Sequence, residues 1–105
     1  MPSLVQKSTQ CERDIEESFV YIAENDLDRG VYFLVAVEDS LTLLSENPEM
    51  GWSRSFKDSR LNDLRIWRVR GFVGFLFVYR YDKRSDTILI IRFLNSKRDF
   101  DQIDL

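Results

Sequence analysis

Apolar residues recur along the chain with two different periods. Between Thr9 and Asn25 they fall at Cys11, Ile15, Phe19, Ile22 and Ala23, a three-and-four spacing that places them on one face of a helix. A second such stretch runs from Arg29 to Glu46, with Phe33, Val37, Leu41 and Leu44 on one stripe. Val31, Leu34, Val35 and Leu43 widen that stripe, which predicts more than one packing neighbour. Ser8 or Thr9 is placed to cap the first helix and Asp26 or Asp28 the second, because a short side-chain oxygen accepts from the free amides of a first turn. A break as short as Asn25–Asp28 predicts an αα-hairpin. Ahead of it, Leu4–Lys7 is a short β-prone stretch and a plausible first strand.

Past Glu46 the period changes. Asn47-Pro48-Glu49-Met50-Gly51 stops the second helix and turns the chain. Trp52 to Asp63 has no period and reads as a connecting loop. From Leu64 alternation sets in: Leu64, Ile66, Arg68 and Arg70 on one side, Arg65, Trp67 and Val69 on the other. Gly71 makes a turn, and Val73 to Tyr81 is apolar on both faces, with Phe75, Phe77 and Tyr79 against Leu76 and Val78. Such a strand belongs in the middle of a sheet. Asp82 to Asp86 turns the chain again, and Thr87 to Leu94 is the last strand.

The pattern predicts one α+β domain spanning residues 1–105, in the order strand–helix–helix–strand–strand–strand, with the helical hairpin packed on a twisted, largely antiparallel sheet. Two helices cover one sheet face only. The other is expected to be left with apolar side chains beside arginines, a surface for a partner or for a second copy of the chain.

Charge adds a second feature to this picture. The net charge of −3 divides sharply: residues 1–50 carry eleven acidic and three basic residues, residues 51–98 four acidic and twelve basic, and the last seven residues three aspartates. An acidic helical half thus precedes a basic sheet half, which points the sheet at an anionic or acidic partner. With no histidine and one cysteine, no metal site of the usual kind and no cofactor is expected. No apolar run is long enough to span a membrane, and the first residues lack the apolar core of a signal peptide, so the expected compartment is the cytoplasm. Cys11 lies on an apolar helix face and is expected in the core.

Taken together, these residues resemble the RelE/ParE superfamily of bacterial type II toxin–antitoxin toxins. The resemblance rests on Asp14-Ile15 followed by Tyr21-Ile22-Ala23, on Asn47-Pro48-x-x-Gly51, on Leu64-Arg65, on Phe77-Val78-Tyr79-Arg80-Tyr81 and on Lys97-Arg98-Asp99. It covers roughly Leu4 to Phe100. It implies a toxin, of the kind associated with plasmid stabilization, whose cognate antitoxin folds an acidic amphipathic tail onto it. Two activities occur in the superfamily: ribosome-dependent cleavage of messenger RNA, and inhibition of DNA gyrase without cleavage.

Matched to the RNA-cutting pattern, this chain has Ile66 and Leu76 where basic groups stand and no tyrosine after Asp99; of that set only Arg68 and Arg98 remain as catalytic candidates. The Leu64–Phe72 segment is more similar to the ParE branch, so gyrase binding is the favoured activity, with a ribosome-dependent endoribonuclease or a non-toxic antitoxin binder as alternatives. The expected target-binding residues are Arg65, Trp67, Arg68, Arg70 and Arg98. Phe75, Phe77, Arg80 and Arg92 are expected to meet the antitoxin. Arg80 and Arg92 interrupt apolar runs, where a lone charge is costly, so a carboxylate from a helix or from the antitoxin should pair with each.

Overall fold

The computed structural model describes residues 1–53 and 63–98, which form β1 (Leu4–Lys7), α1 (Thr9–Asn25), α2 (Leu27–Glu46), β2 (Trp52–Ser53), β3 (Arg65–Arg68), β4 (Phe75–Asp82) and β5 (Thr87–Asn95). The strands make one sheet in the order β1-β5-β4-β3-β2, parallel between β1 and β5 and antiparallel elsewhere. As its two-sided apolar character requires, β4 is the middle strand. Trp52 and Ser53 differ from the expected loop: they pair with Ile66 and Arg65 as an edge strand too short to show a period. Residues 54–62 of that expected loop, and Asp99 of the Lys97-Arg98-Asp99 motif, lie outside the described residues.

Ser8 caps α1, its Oγ accepting from the Cys11 N–H at 3.0 Å while donating to the Ile91 carbonyl at 2.7 Å. One side chain therefore starts the helix and fixes it to β5. Asp26 caps α2 by accepting from the Arg29 N–H at 3.1 Å, so that helix begins at Leu27, two residues before the position expected. Gly30 lies where the two helices cross. A Cβ there would stand 2.8 Å from Ala23 Cβ and 3.0 Å from Phe19 Cε2. Gly30→Ala gains about 1 kcal/mol of helix propensity but forces the hairpin apart at a cost of about 1–3 kcal/mol. We expect a net loss of roughly 1 kcal/mol, measured by urea denaturation.

The main core lies between the helices and one sheet face. Phe33 of α2 is its centre, with ring centroids 5.3 Å from Phe72, 5.1 Å from Phe75 and 5.8 Å from Phe93. Cys11 is sealed in the same layer. Burial, with a smaller contribution from the Asp14 charge, pushes its thiol up to about 12, so it is a packing residue and not a nucleophile.

The opposite sheet face is not bare, which corrects the sequence expectation. Leu64, Ile66, Leu76, Val78 and Leu94 form a second apolar cluster, none of them more than 9% exposed. Ile66 faces Val78, and Leu76 faces Leu94, across adjacent strands. The argument for a second copy closing this face falls away. No helix among the described residues is long and apolar enough to cross a membrane.

Between Val78 and Tyr79 the β4–β5 register shifts: Val78 faces Arg92 and Tyr79 faces Ile90, leaving Ile91 as the extra residue of a bulge. The bulge falls where β1 ends, since Lys7 pairs with Ile90. Beyond it Asp14 of α1 takes over as partner for the β5 edge. Its buried carboxylate accepts from the Phe93 N–H at 3.0 Å, from Arg92 Nε at 2.9 Å and from Gln10 Nε2 at 2.9 Å.

Candidate target-binding surface

Three of the expected site arginines are engaged within the fold. Arg65 Nη1 donates to the Glu49 and Gly51 carbonyls at 3.0 and 2.9 Å. Tyr79 Oη donates to the Pro48 carbonyl at 2.9 Å and accepts from the Gly51 N–H at 3.0 Å. Together they clamp the Asn47–Gly51 turn onto the sheet, and burial raises the Tyr79 pKa above its ordinary value. Arg65 is therefore a positioning residue of the turn. Arg80 is held by Asp63 through two contacts of 2.7 and 3.2 Å, and Arg92 by Asp14. Each pairs with a carboxylate of this chain, Arg92 with a helix carboxylate as its apolar surroundings demanded. Phe75 and Phe77 belong to the helix-covered core, Phe77 with no exposed surface. Phe77 packs edge-on against Phe93, whereas Phe75 also lines the concavities at the sheet end.

Trp67 also faces the helix layer, half-buried, with its ring edge-on to Trp52 at 6.2 Å. Its indole N–H is buried without an acceptor.

What remains of the expected set converges on one end of the sheet. There β3 ends at Arg68, β4 begins at Phe75 and β5 ends at Asn95. The connection between β3 and β4 runs from Val69 to Gly74, four residues longer than the turn the sequence suggested. Gly71 (φ 86°) and Gly74 (φ 107°) both take left-handed conformations that other residues resist. The turn projects Val73, which is 95% exposed. Arg70 is held in place by its backbone N–H, which donates to the buried Ser40 Oγ at 2.9 Å.

On one side of this turn lies a groove of about 440 Å³ lined by Trp52, Arg68, Arg70, Val73, Leu76 and Ser96. Arg68 and Arg70 are exposed, and no carboxylate among the described residues pairs with either. On the other side is a cleft of about 330 Å³ between α1 and the sheet end, lined by Tyr21, Ile22, Arg29, Phe72, Val73 and Lys97, among others. Arg29 lies over the Phe72 ring, 4.9 Å from its centroid. Arg98 reaches a third concavity with Glu17, Ser18, Tyr21, Phe75 and Asn95. The Asn95 side chain organises this corner by accepting from the Lys97 and Arg98 N–H groups at 3.0 and 3.2 Å.

The surface is thus a projecting apolar tip between cations: Arg68 and Arg70 on one flank, Arg29 and Lys97 on the other, Arg98 beside them. Arg68, Arg70 and Arg98 were named from sequence. Arg29 was not, because it lies in the first turn of α2 and joins the site only through the tertiary fold, and Lys97 stood only in the Lys97-Arg98-Asp99 motif, not among the site residues. The one local signal was the Gly-Phe-Val-Gly run, whose glycines on both sides of an apolar pair mark an exposed turn.

Three comparisons bear on this geometry. The family model described as the ParE toxin of type II toxin–antitoxin systems, parDE, matches residues 5–100. Among solved structures, the RelBE2 toxin–antitoxin complex of Mycobacterium tuberculosis contains a chain similar to this one at 21% identity, with a TM-score of 0.64 over 90% of this chain and 99% of that chain. A conserved hypothetical protein of Helicobacter pylori is similar at 18% identity, with a TM-score of 0.52 over 90% and 96% of the two chains. A search of curated protein sequences returns no match.

Proposed function

The chain belongs to the ParE toxin family of type II toxin–antitoxin systems, within the RelE/ParE superfamily, and from that premise we propose that it acts by binding a topoisomerase such as DNA gyrase through the basic sheet end. The observation that carries this reading is the convergence of unpaired Arg68 and Arg70 with Arg29 and Lys97 around an exposed apolar tip. Desolvated cations beside an apolar anchor are the usual makings of an interface hot spot. The chemistry at the same end argues against strand cleavage. A general base must lose its proton near neutral pH, whereas arginine stays charged throughout. The positions where an RNA cutter carries further basic groups are Ile66 and Leu76, both buried in the aliphatic cluster.

A cognate antitoxin is the second partner of this reading. An acidic tail laid across the same cations would neutralise them and cover Val73, so target and antitoxin compete for one surface. The low net charge of the whole chain does not oppose this, because the negative charge sits on the helices and the last residues.

The test is binding of purified protein to immobilised gyrase. Replacing Arg68 and Arg70 together with glutamate should weaken binding by at least about tenfold, since each lost cation at a desolvated contact is worth a kcal/mol or more. The melting temperature should stay unchanged, because neither side chain bonds to another of the described residues. Unaltered affinity in a folded double variant would remove this surface from the mechanism.

A further inference from the structure

Of the residues that widen the α2 stripe, Leu34 packs against the core, while Val31 and Val35 face outward. Leu27, Val31 and Val35 recur at four-residue intervals and are 64%, 51% and 51% exposed; Val20 of α1 is 45% exposed. In the hairpin α1 packs against α2 at Ala23 and Gly30, and Val20 lies one turn before Ala23 on α1. An apolar ridge therefore lies on the outward side of the hairpin, away from the sheet. The exposed charges around it are mainly acidic: Glu16 precedes and Glu24 follows Val20 by one turn, and Asp28, Glu38 and Asp39 border the α2 stripe, against Arg13 two turns before Val20. Among the described residues only Glu38 of these has a cation partner, Lys7 at 3.6 Å.

We propose that this face docks a basic amphipathic helix of a partner protein. Three arguments select that occupant. Both helices satisfy their own backbone groups, so an added β-strand finds nothing to pair with, whereas a ridge at i, i+4, i+8 offers the grooves that a third helix fills. The stripe from Leu27 to Val35 is about 12 Å long at 1.5 Å per residue, matching two to three turns of a partner. The rim is negative, so a partner with lysine or arginine flanking its apolar face is attracted and an acidic one is repelled. The same sign excludes a two-fold pairing of this face with itself, which would set Asp28 and Glu24 of one copy against Glu38 and Asp39 of the other. It also separates this face from the basic sheet end, so the inference stands whether or not gyrase is the target.

The experiment uses the full chain, isotope-labelled at valine and leucine methyls, and two synthetic amphipathic peptides of about 18 residues. The peptides share their apolar positions; one carries lysines and the other glutamates on the polar face. The lysine peptide should bind, shifting the methyls of Val20, Leu27, Val31 and Val35 and not those near Val73, with affinity falling as salt rises. Val31→Ser with Val35→Ser, both surface changes that leave the core intact, should weaken it by about tenfold or more. Failure of the lysine peptide to bind, equal binding by both peptides, or shifts centred elsewhere would each overturn the proposal. So would concentration-dependent broadening of these methyls in the peptide-free protein, which would assign the face to a second copy.

Discussion

Asp14→Ala should destabilise the fold by about 3–5 kcal/mol, the usual cost of stranding one member of a buried ion pair. Asp14 is the strand partner that β5 lacks after β1 ends. Removing its carboxylate leaves the Phe93 N–H without an acceptor and the Arg92 guanidinium beside an apolar bulge with nothing to neutralise it. Gln10 loses a partner as well. Asp14→Asn keeps one acceptor oxygen and should recover part of the loss. Arg92→Ala should cost less than Asp14→Ala, since the carboxylate keeps its bonds from Phe93 and Gln10. Equilibrium urea unfolding of the three variants gives the ordering. Asp14→Ala within about 1 kcal/mol of the parent would mean that the β5 edge does not depend on this residue.

The second large effect is expected at Gly51. A Cβ there would collide with the Oη, Cε1 and Cζ atoms of Tyr79, and neither the turn nor the ring of a middle strand has space to move. Gly51→Ala should cost about 2–3 kcal/mol, in the range of overpacking in a tight core. Tyr79→Phe should cost about 1–3 kcal/mol by leaving the buried Gly51 N–H and the Pro48 carbonyl short of a partner. The two changes act on one contact. Their double variant should therefore fall short of the summed losses by about 0.5 kcal/mol or more in a thermodynamic cycle. Strict additivity would show that the turn is held by Arg65 and not by Tyr79. This pair also gives a physical reason for the Asn-Pro-x-x-Gly spacing: the proline carbonyl and the glycine amide are the two groups that one tyrosine hydroxyl holds together.

The local periods made much of this fold legible. The helix faces, the central position of β4 and the sidedness of Ile66 against Trp67 follow from spacings of three to four and of two, which a sequence displays directly. A two-residue strand such as β2 has no period to display. Ile91 gives no sign of being a bulge until β1 is seen to stop at Lys7. The outer sheet face was misread because counting helices does not reveal that Leu64, Ile66, Leu76, Val78 and Leu94 are buried there.

The site was half legible for a related reason. Arginines at a strand end are visible as letters, but whether a guanidinium is spent or available depends on its tertiary neighbours. Arg65 reaches two carbonyls on the far side of the loop, Arg80 finds Asp63, and Arg92 finds a helix carboxylate 78 positions away in sequence. Arg68 and Arg70 find none, and only the folded chain brings Arg29 and Lys97 to join them.

On the proposed reading the protein binds its target without cutting anything. The most direct test of that reading is a gyrase supercoiling reaction on relaxed plasmid, titrated with the purified protein and run beside ribosomes translating a defined message. The account predicts that supercoiling is inhibited and that Arg68→Glu with Arg70→Glu restores it, while the message stays intact. Normal supercoiling at saturating protein, together with cleavage of the message that is lost in Arg98→Ala, would contradict it.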